Sequence, residues 1–148
     1  MTRESNAVYL AGKFQDREKI KELAQALRAS GFKVMSSWHD VEYNMDETAE
    51  TRQRRITSDA ERDLGEIYWS GIFILLPKMS SWEEDKMYAK GSIAGPESSG
   101  RYTELGYAFA IGCKVLVVGE HANIFTRLAT VQRFATVDDL LLFLGVSR

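Results

Sequence analysis

Cysteine is almost missing from this chain of 148 residues. Cys113 is the single thiol, so an intrachain disulfide and a cysteine zinc cluster are both excluded. It precedes an apolar run, where a packed and inert thiol is expected. Histidine is nearly as scarce. His39 and His121 lie far apart and lack the spacing of metal ligands, so no metal is expected. Neither sign of charge dominates: a formal net charge of −2 gives no broad attraction to nucleic-acid polymers or to an anionic membrane. Long apolar runs are absent. The longest, over 72–76, falls far short of a membrane span. Residues 1–5 carry no signal-peptide core, so a cytoplasmic protein is expected. Internal repeats, low-complexity segments, a Gly-x-Gly-x-x-Gly fingerprint and a P-loop are also lacking.

What is present has the balance of a globular protein. Hydrophobic residues make up 45% and charged residues 27%, and the length suits one domain over 1–148 with a full-sized core. Short apolar runs read as strands over 7–11 (ending at Gly12), 33–37, 71–76, 114–119 and 131–135. Helical periodicity covers 17–30, where Ile20, Leu23, Ala24 and Leu27 share a face and Gly31 is a C-cap. Further helices are expected over 47–69, 102–111 and 137–144, with single turns at 83–88 and 124–128. Residues 39–46 read as polar and irregular, and 77–99 as a long loop whose Gly91, Gly95, Pro96 and serines suit a lid or binding loop.

Strands alternating with helices imply an α/β fold. The expectation is a doubly wound, Rossmann-like or flavodoxin-like parallel sheet of five strands, order 2-1-3-4-5, with helices on both faces. Ligands in such sheets bind beyond the carboxyl ends of the strands, here 12–17, 77–104 and 119–125.

Several residues in those segments can carry chemistry. In Gly100-Arg101-Tyr102-Thr103-Glu104-Leu105-Gly106-Tyr107-Ala108 a glycine precedes a helix with a carboxylate in its first turn. Near the positive end of the helix dipole Glu104 is expected to stay ionised, either as a nucleophile or as a solvated surface group. Ile56, Ala60, Asp63 and Ile67 fall at i, i+4, i+7 and i+11. Asp63 then either faces inward with the isoleucines or, if that stripe is rotated, faces solvent among Asp59, Glu61, Arg62 and Glu66. The amides of Gly12-Lys13-Phe14-Gln15-Asp16-Arg17, with Lys13 or Arg17, form either an anion site at the following helix start or a plain turn. Glu97-Ser98-Ser99-Gly100-Arg101 has the parts of a phosphate cradle, or is a surface turn.

Three of these segments, in this order, resemble the nucleoside 2-deoxyribosyltransferase superfamily. Val8-Tyr9-Leu10-Ala11-Gly12 is similar to its opening strand, Asp63-Leu64-Gly65-Glu66-Ile67 to its Asp-Leu-x-x-Ile helix, and Gly100 to Ala108 to its Gly-x-x-x-Glu-Leu-Gly-x-Ala signature. The resemblance implies that Glu104 attacks the anomeric carbon of the sugar, that Asp63 assists departure of the base, and that Tyr9 orients the nucleophile. It also implies a small nucleotide or nucleoside substrate, no cofactor, and a homodimer with shared active sites. The helices over 47–69 and 102–111 are the candidates for that contact.

Two departures from the family pattern stand out. Transferases of free nucleosides carry an aspartate six residues before the nucleophile; here that position is Ser98, as in the branch that hydrolyses nucleoside 5′-monophosphates. An aspartate repels a phosphate, whereas a serine hydroxyl donates to it. Ser98, Gly100 and Arg101 are therefore expected to hold the phosphate, with Gly12, Lys13 and Phe14 completing the substrate site; Arg101 reading a 2′-hydroxyl is the other option. The second departure is Gly71, where many relatives have an aspartate; it reads as structural. Trp38, Trp82 and Tyr88 are either base-stacking or packing residues. The leading expectation is an N-glycosidase acting on nucleoside 5′-monophosphates. Base exchange by a deoxyribosyltransferase, a non-catalytic nucleotide-binding module and cleavage of a larger nucleotide are the alternatives.

Overall fold

The computed structural model describes residues 2–42, 46–79 and 100–147. Among them, β1 (Glu4–Ala11), β2 (Lys33–Val34), β3 (Ser70–Leu75), β4 (Lys114–Val118) and β5 (Gln132–Phe134) form one parallel sheet in the order β2-β1-β3-β4-β5. The connections carry α1 (Arg17–Ala29), α2 (Ala49–Tyr68), α3 (Gly100–Ala110) and α4 (Val137–Leu144). This is the expected doubly wound α/β arrangement. Strand order reverses at β1, whose neighbours are β2 and β3, and a crevice forms beyond the strand ends at such a reversal.

Apolar strands buried on both faces make the core. Leu10, Phe73, Ile74, Leu75, Leu116 and Val118 are fully buried, as the unbroken hydrophobic runs require. The register sets Tyr9 beside Phe73 and Ala11 beside Leu75, and their rings stack at 5.7 Å in the Tyr9–Phe73 pair. Against the sheet, α1 buries Ile20, Leu23, Ala24 and Leu27. It ends in a Schellman turn: Phe32 N–H donates to the Leu27 carbonyl (3.0 Å), Gly31 N–H donates to that of Arg28 (3.1 Å), and Gly31 has φ of +92°.

β2 stops earlier than its apolar run suggests. Met35 N–H still donates to the Val8 carbonyl (2.7 Å), but the next acceptor is a side chain: Leu10 N–H donates to Ser36 Oγ at 3.2 Å. A hydroxyl in place of a carbonyl ends the ladder. The chain then turns through Trp38–Asp40, a region expected to be irregular, and buries both Trp38 and His39. The Trp38 indole N–H donates to the Leu10 carbonyl at 2.7 Å, so Trp38 is a core residue and not a base-stacking one. Trp82, Tyr88 and the turn at 83–88 lie outside the described residues.

The packing face of α2 differs from the expected stripe. Ile56 is 44% exposed and Ala60 is also exposed, and Ile67 alone in the helix is buried. The half-buried residues are Arg52, Arg55, Asp59, Arg62, Asp63 and Glu66, a charged stripe at i, i+3, i+4 spacing. Pairing makes this possible. Arg55 bonds both Glu47 oxygens, Arg55 Nη1 donates to Asp59 Oδ2 (3.2 Å), and Arg62 Nη1 donates to Asp59 Oδ1 (3.1 Å). Neutralised in this way, the charges can leave water in part. No described helix is long and apolar enough to cross a membrane.

Candidate active site

Four ionisable groups from three elements meet beside the sheet. Tyr9 comes from β1, Asp63 and Glu66 from α2, and Glu104 from α3, the helix that packs on α2. Burial pushes the Glu104 carboxyl up to about 8; negative charge on Asp63 and Glu66 adds to the rise, while Tyr9 and Arg62 oppose it. The expectation of an ionised Glu104 is corrected here. α3 begins at Gly100, two residues earlier than the periodicity indicates, so Glu104 stands in its second turn. The dipole has faded there, and burial beside two carboxylates outweighs it.

Tyr9 is fully buried, and its hydroxyl closes no hydrogen bond of ordinary length. It nonetheless interacts with Glu104: it favours the ionised carboxylate, and its own pKa is raised well above the usual tyrosine value, first by burial and then by Glu104, Asp63 and Glu66.

Asp63 is partly buried, with its side chain 19% exposed. Neither of its two expected settings holds: it is inward, but within the charged stripe. Arg62 grips one oxygen of it, with Nε at 3.1 Å and Nη2 at 2.8 Å from Oδ1. Burial raises the Asp63 pKa, Arg62 opposes the rise, and Asp59 adds to it. Glu66 is anchored on the turn after β2: Ser37 N–H donates to Oε2 at 3.0 Å and the Ser37 hydroxyl donates to Oε1. Burial raises its pKa as well, against these bonds. Arg62 and Glu66 were not singled out as site residues in the sequence. Glu66 stands at i+3 from Asp63, a spacing that places both on one flank of a helix.

The Gly12-Lys13-Phe14 segment lies where strand order reverses. Leu76 N–H donates to the Ala11 carbonyl (2.8 Å), and a Cβ on Gly12 would meet Ile20 Cδ1 at 2.6 Å, so α1 approaches closely here. The Phe14 ring lies under the Arg17 guanidinium, 4.7 Å from its centroid. The start of α1 is not an open anion site. The buried Asp16 carboxylate stands there, accepting from Met79 N–H at 2.9 Å, and its charge opposes a phosphate.

Arg101 turns toward the end of β4. Its Nη2 donates to the Tyr102 hydroxyl (3.2 Å), which faces His121 Nδ1 at 3.0 Å. His121 Nε2 lies 2.9 Å from the Val118 carbonyl, which can only accept, so Nε2 carries the proton and Nδ1 accepts from Tyr102. Burial and the Arg101 charge lower the His121 pKa, in keeping with that neutral form. Arg101 Nε and Nη1 are buried and have no partner among the described residues. Ser98 lies outside them.

Two other features are set apart from these groups. Ser36 Oγ is 3.2 Å from His39 Nε2, and His39 Nδ1 is 3.4 Å from Asp40, but Ser36 is 1% exposed and its hydroxyl accepts from Leu10 N–H in the core. The Cys113 thiol bonds the Ser70 carbonyl at 3.3 Å, and burial raises its pKa, as expected of a packed cysteine.

No protein-family model matches the chain, and no curated protein matches it. Solved structures do. The CMP N-glycosidase BcmB of Clostridium botulinum aligns with a TM-score of 0.54 and 20% identity, covering 94% of this chain and 98% of its own. A 2-deoxyribosyltransferase of the psychrotolerant bacterium Bacillus psychrosaccharolyticus aligns with a TM-score of 0.58 and 20% identity, covering 90% and 89%. The chain therefore has the fold of a CMP N-glycosidase and of a 2-deoxyribosyltransferase, the fold that the Glu-Leu-Gly-Tyr-Ala segment and its companions implied.

Proposed function

We propose that this protein is an N-glycosidase that hydrolyses a nucleoside 5′-monophosphate to free base and sugar 5-phosphate. The observation that carries the reading is the meeting of Tyr9, Asp63 and Glu104, from three separate elements, in one electrostatically coupled group. The reaction follows the logic of a retaining glycosidase. The C1′–N bond breaks, and its electron pair leaves with the base. The proton that Glu104 holds at rest passes to Asp63, which supplies it to the departing nitrogen, and the Glu104 carboxylate so formed attacks C1′ to form an ester. Water then attacks C1′, Glu104 departs as carboxylate, and Asp63 takes the proton from that water. Positive charge developing on the sugar ring favours the ionised form of Glu104 that its burial disfavours.

Arg101 supports a phosphate in the substrate, because two buried guanidinium nitrogens lack partners among the described residues. Ser98 and Gly100 join it on the sequence resemblance, and Gly12, Lys13 and Phe14 complete the substrate site. The chain acts as one domain and pairs as a homodimer. Support for the dimer comes from Ile56, Leu64 and Tyr68, which expose 44%, 37% and 46% of their surface along α2. A monomer by light scattering at micromolar concentration would count against it.

The test is base release from nucleosides and their 5′-monophosphates, ribo and deoxy, by the wild type and by Glu104→Ala. Release from a monophosphate that is lost in the variant is the expected result. Better turnover of free deoxynucleosides, or base exchange outpacing hydrolysis, would replace the reading with a deoxyribosyltransferase. Ligand-dependent thermal stabilisation without release would make the protein a nucleotide-binding module.

A further inference from the structure

Arg62 spends two N–H donors on a single oxygen of Asp63. Its Nε and Nη2 both reach Oδ1, at 3.1 and 2.8 Å, and Oδ2 accepts no hydrogen bond among the described residues. The guanidinium is itself held from the other side, since Nη1 donates to Asp59 Oδ1 at 3.1 Å. Asp59 Oδ2 accepts from Arg55 Nη1 at 3.2 Å, and Arg55 bonds both oxygens of Glu47. Alternating charges thus run along one flank of α2 and end at Asp63. Asp63 is the last member, and its charge acts on Glu104 of α3 and Tyr9 of β1.

We propose that Arg62 is a positioning residue that presents Asp63 Oδ2 to the leaving base and steadies the carboxylate left after proton transfer. The proposal rests on the N-glycosidase reading above. As the C1′–N electron pair leaves with the base, a proton taken over from Glu104 onto Oδ2 passes to the base nitrogen. Asp63 becomes an anion among Glu66, Asp59 and Glu104, all acidic. Arg62 is the cation that acts on Asp63, Glu66 and Glu104. Its planar fork on Oδ1 stabilises the new charge and fixes which oxygen faces the base. A lysine supplies the charge without the fork.

The test compares the wild type with Arg62→Gln and Arg62→Lys on the 5′-monophosphate that the wild type cleaves best. Arg62→Gln is expected to lower kcat about tenfold or more with KM within about twofold. The loss should be greater for a natural pyrimidine than for its 5-fluoro analogue, which leaves more readily. Arg62→Lys should recover part of kcat. Independently of turnover, the Asp63 carboxyl, followed by 13C NMR, should titrate at higher pH in Arg62→Gln, because a cation and two hydrogen bonds to the anion are gone. An unchanged kcat, a loss confined to KM, or an unmoved Asp63 titration overturns the proposal. If the wild type cleaves no member of the panel, the N-glycosidase reading fails, and the titration alone judges Arg62. Should Arg62→Gln not fold, Arg62→Lys carries the same comparison and is expected to shift the Asp63 titration upward by a smaller amount.

Discussion

A Cβ on Gly71 would sit 2.5 Å from the carbonyl oxygen of Glu4 and 3.3 Å from the Ser5 Cα. The neighbours are backbone, where β1 begins its pairing with β3 at Glu4 and Ser70, and they cannot rotate away. The glycine that departs from the resembled family's aspartate is thus required by this strand pair. Gly71→Asp and Gly71→Ala are expected to destabilise the protein by about 2–4 kcal/mol. Urea unfolding with an unchanged m-value would measure it. A loss below about 0.5 kcal/mol would show that the strands part without cost.

Glu104 predicts a pH dependence in two observables. Activity needs ionised Glu104 beside protonated Asp63, one proton shared by the pair, so kcat/KM should fall as pH rises through about 8 and that proton is lost. Stability falls over the same range. Between the ordinary glutamate pKa near 4.5 and about 8, the folded protein binds a proton that the unfolded chain has released, so rising pH destabilises it. Glu104→Gln, which cannot ionise, should therefore gain on the wild type by roughly 3 kcal/mol from pH 5 to pH 8. Thermal melts of both proteins over that range check the sign. A gap that stays constant would place the Glu104 carboxyl in an ordinary environment.

Tyr9→Phe keeps the stack on Phe73 and removes a buried hydroxyl that closes no bond. Stability should stay within about 1 kcal/mol, or rise. The Tyr9 hydroxyl favours ionised Glu104, so its loss should move the falling limb of the pH–rate profile to higher pH. A profile that does not move would separate the two residues functionally.

Trp38→Phe breaks the buried indole bond to Leu10 and shrinks a core side chain. A loss of about 1–3 kcal/mol in chemical denaturation is expected, with KM for the nucleotide unchanged. A raised KM at full stability would make Trp38 a base-stacking residue after all.

Ser98→Asp tests the phosphate assignment directly. If residue 98 meets the 5′-phosphate, the variant should bind a monophosphate about 2–4 kcal/mol more weakly, because like charges then face each other. Equilibrium dialysis with a monophosphate and its free nucleoside separates charge repulsion from general damage. Equal weakening of both would take Ser98 off the phosphate.

The sheet was legible because continuous apolar runs such as Ile72 to Leu76 have one use in an alternating chain, a strand covered on both faces. Glu104, Asp63 and Tyr9 stand out as candidates through the resemblance, and the first two also through their place on helices near strand ends. What a helical wheel could not show is the inward face of α2. Ile56, Ala60 and Ile67 imitate an apolar stripe, yet the chain turns Arg55, Asp59 and Arg62 inward because each finds a partner of opposite charge. Glu66 escaped notice for a related reason. Its partner Ser37 lies 29 residues earlier and meets it only once the sheet has formed.

Burial holds Glu104 toward its protonated form, the less reactive of its two states. Neutral carboxylic acids react poorly with alkylating agents, epoxides and activated sugars, whereas carboxylates esterify with them. If the N-glycosidase reading holds, the same burial that raises the group's proton affinity shields the protein from accidental self-modification between turnovers. A ligand that brings positive charge to the site draws off the proton, and only then does the carboxylate become reactive. Covalent probes aimed at Glu104 should accordingly label it faster when they carry a cationic, oxocarbenium-like centre than when they are neutral electrophiles of equal intrinsic reactivity.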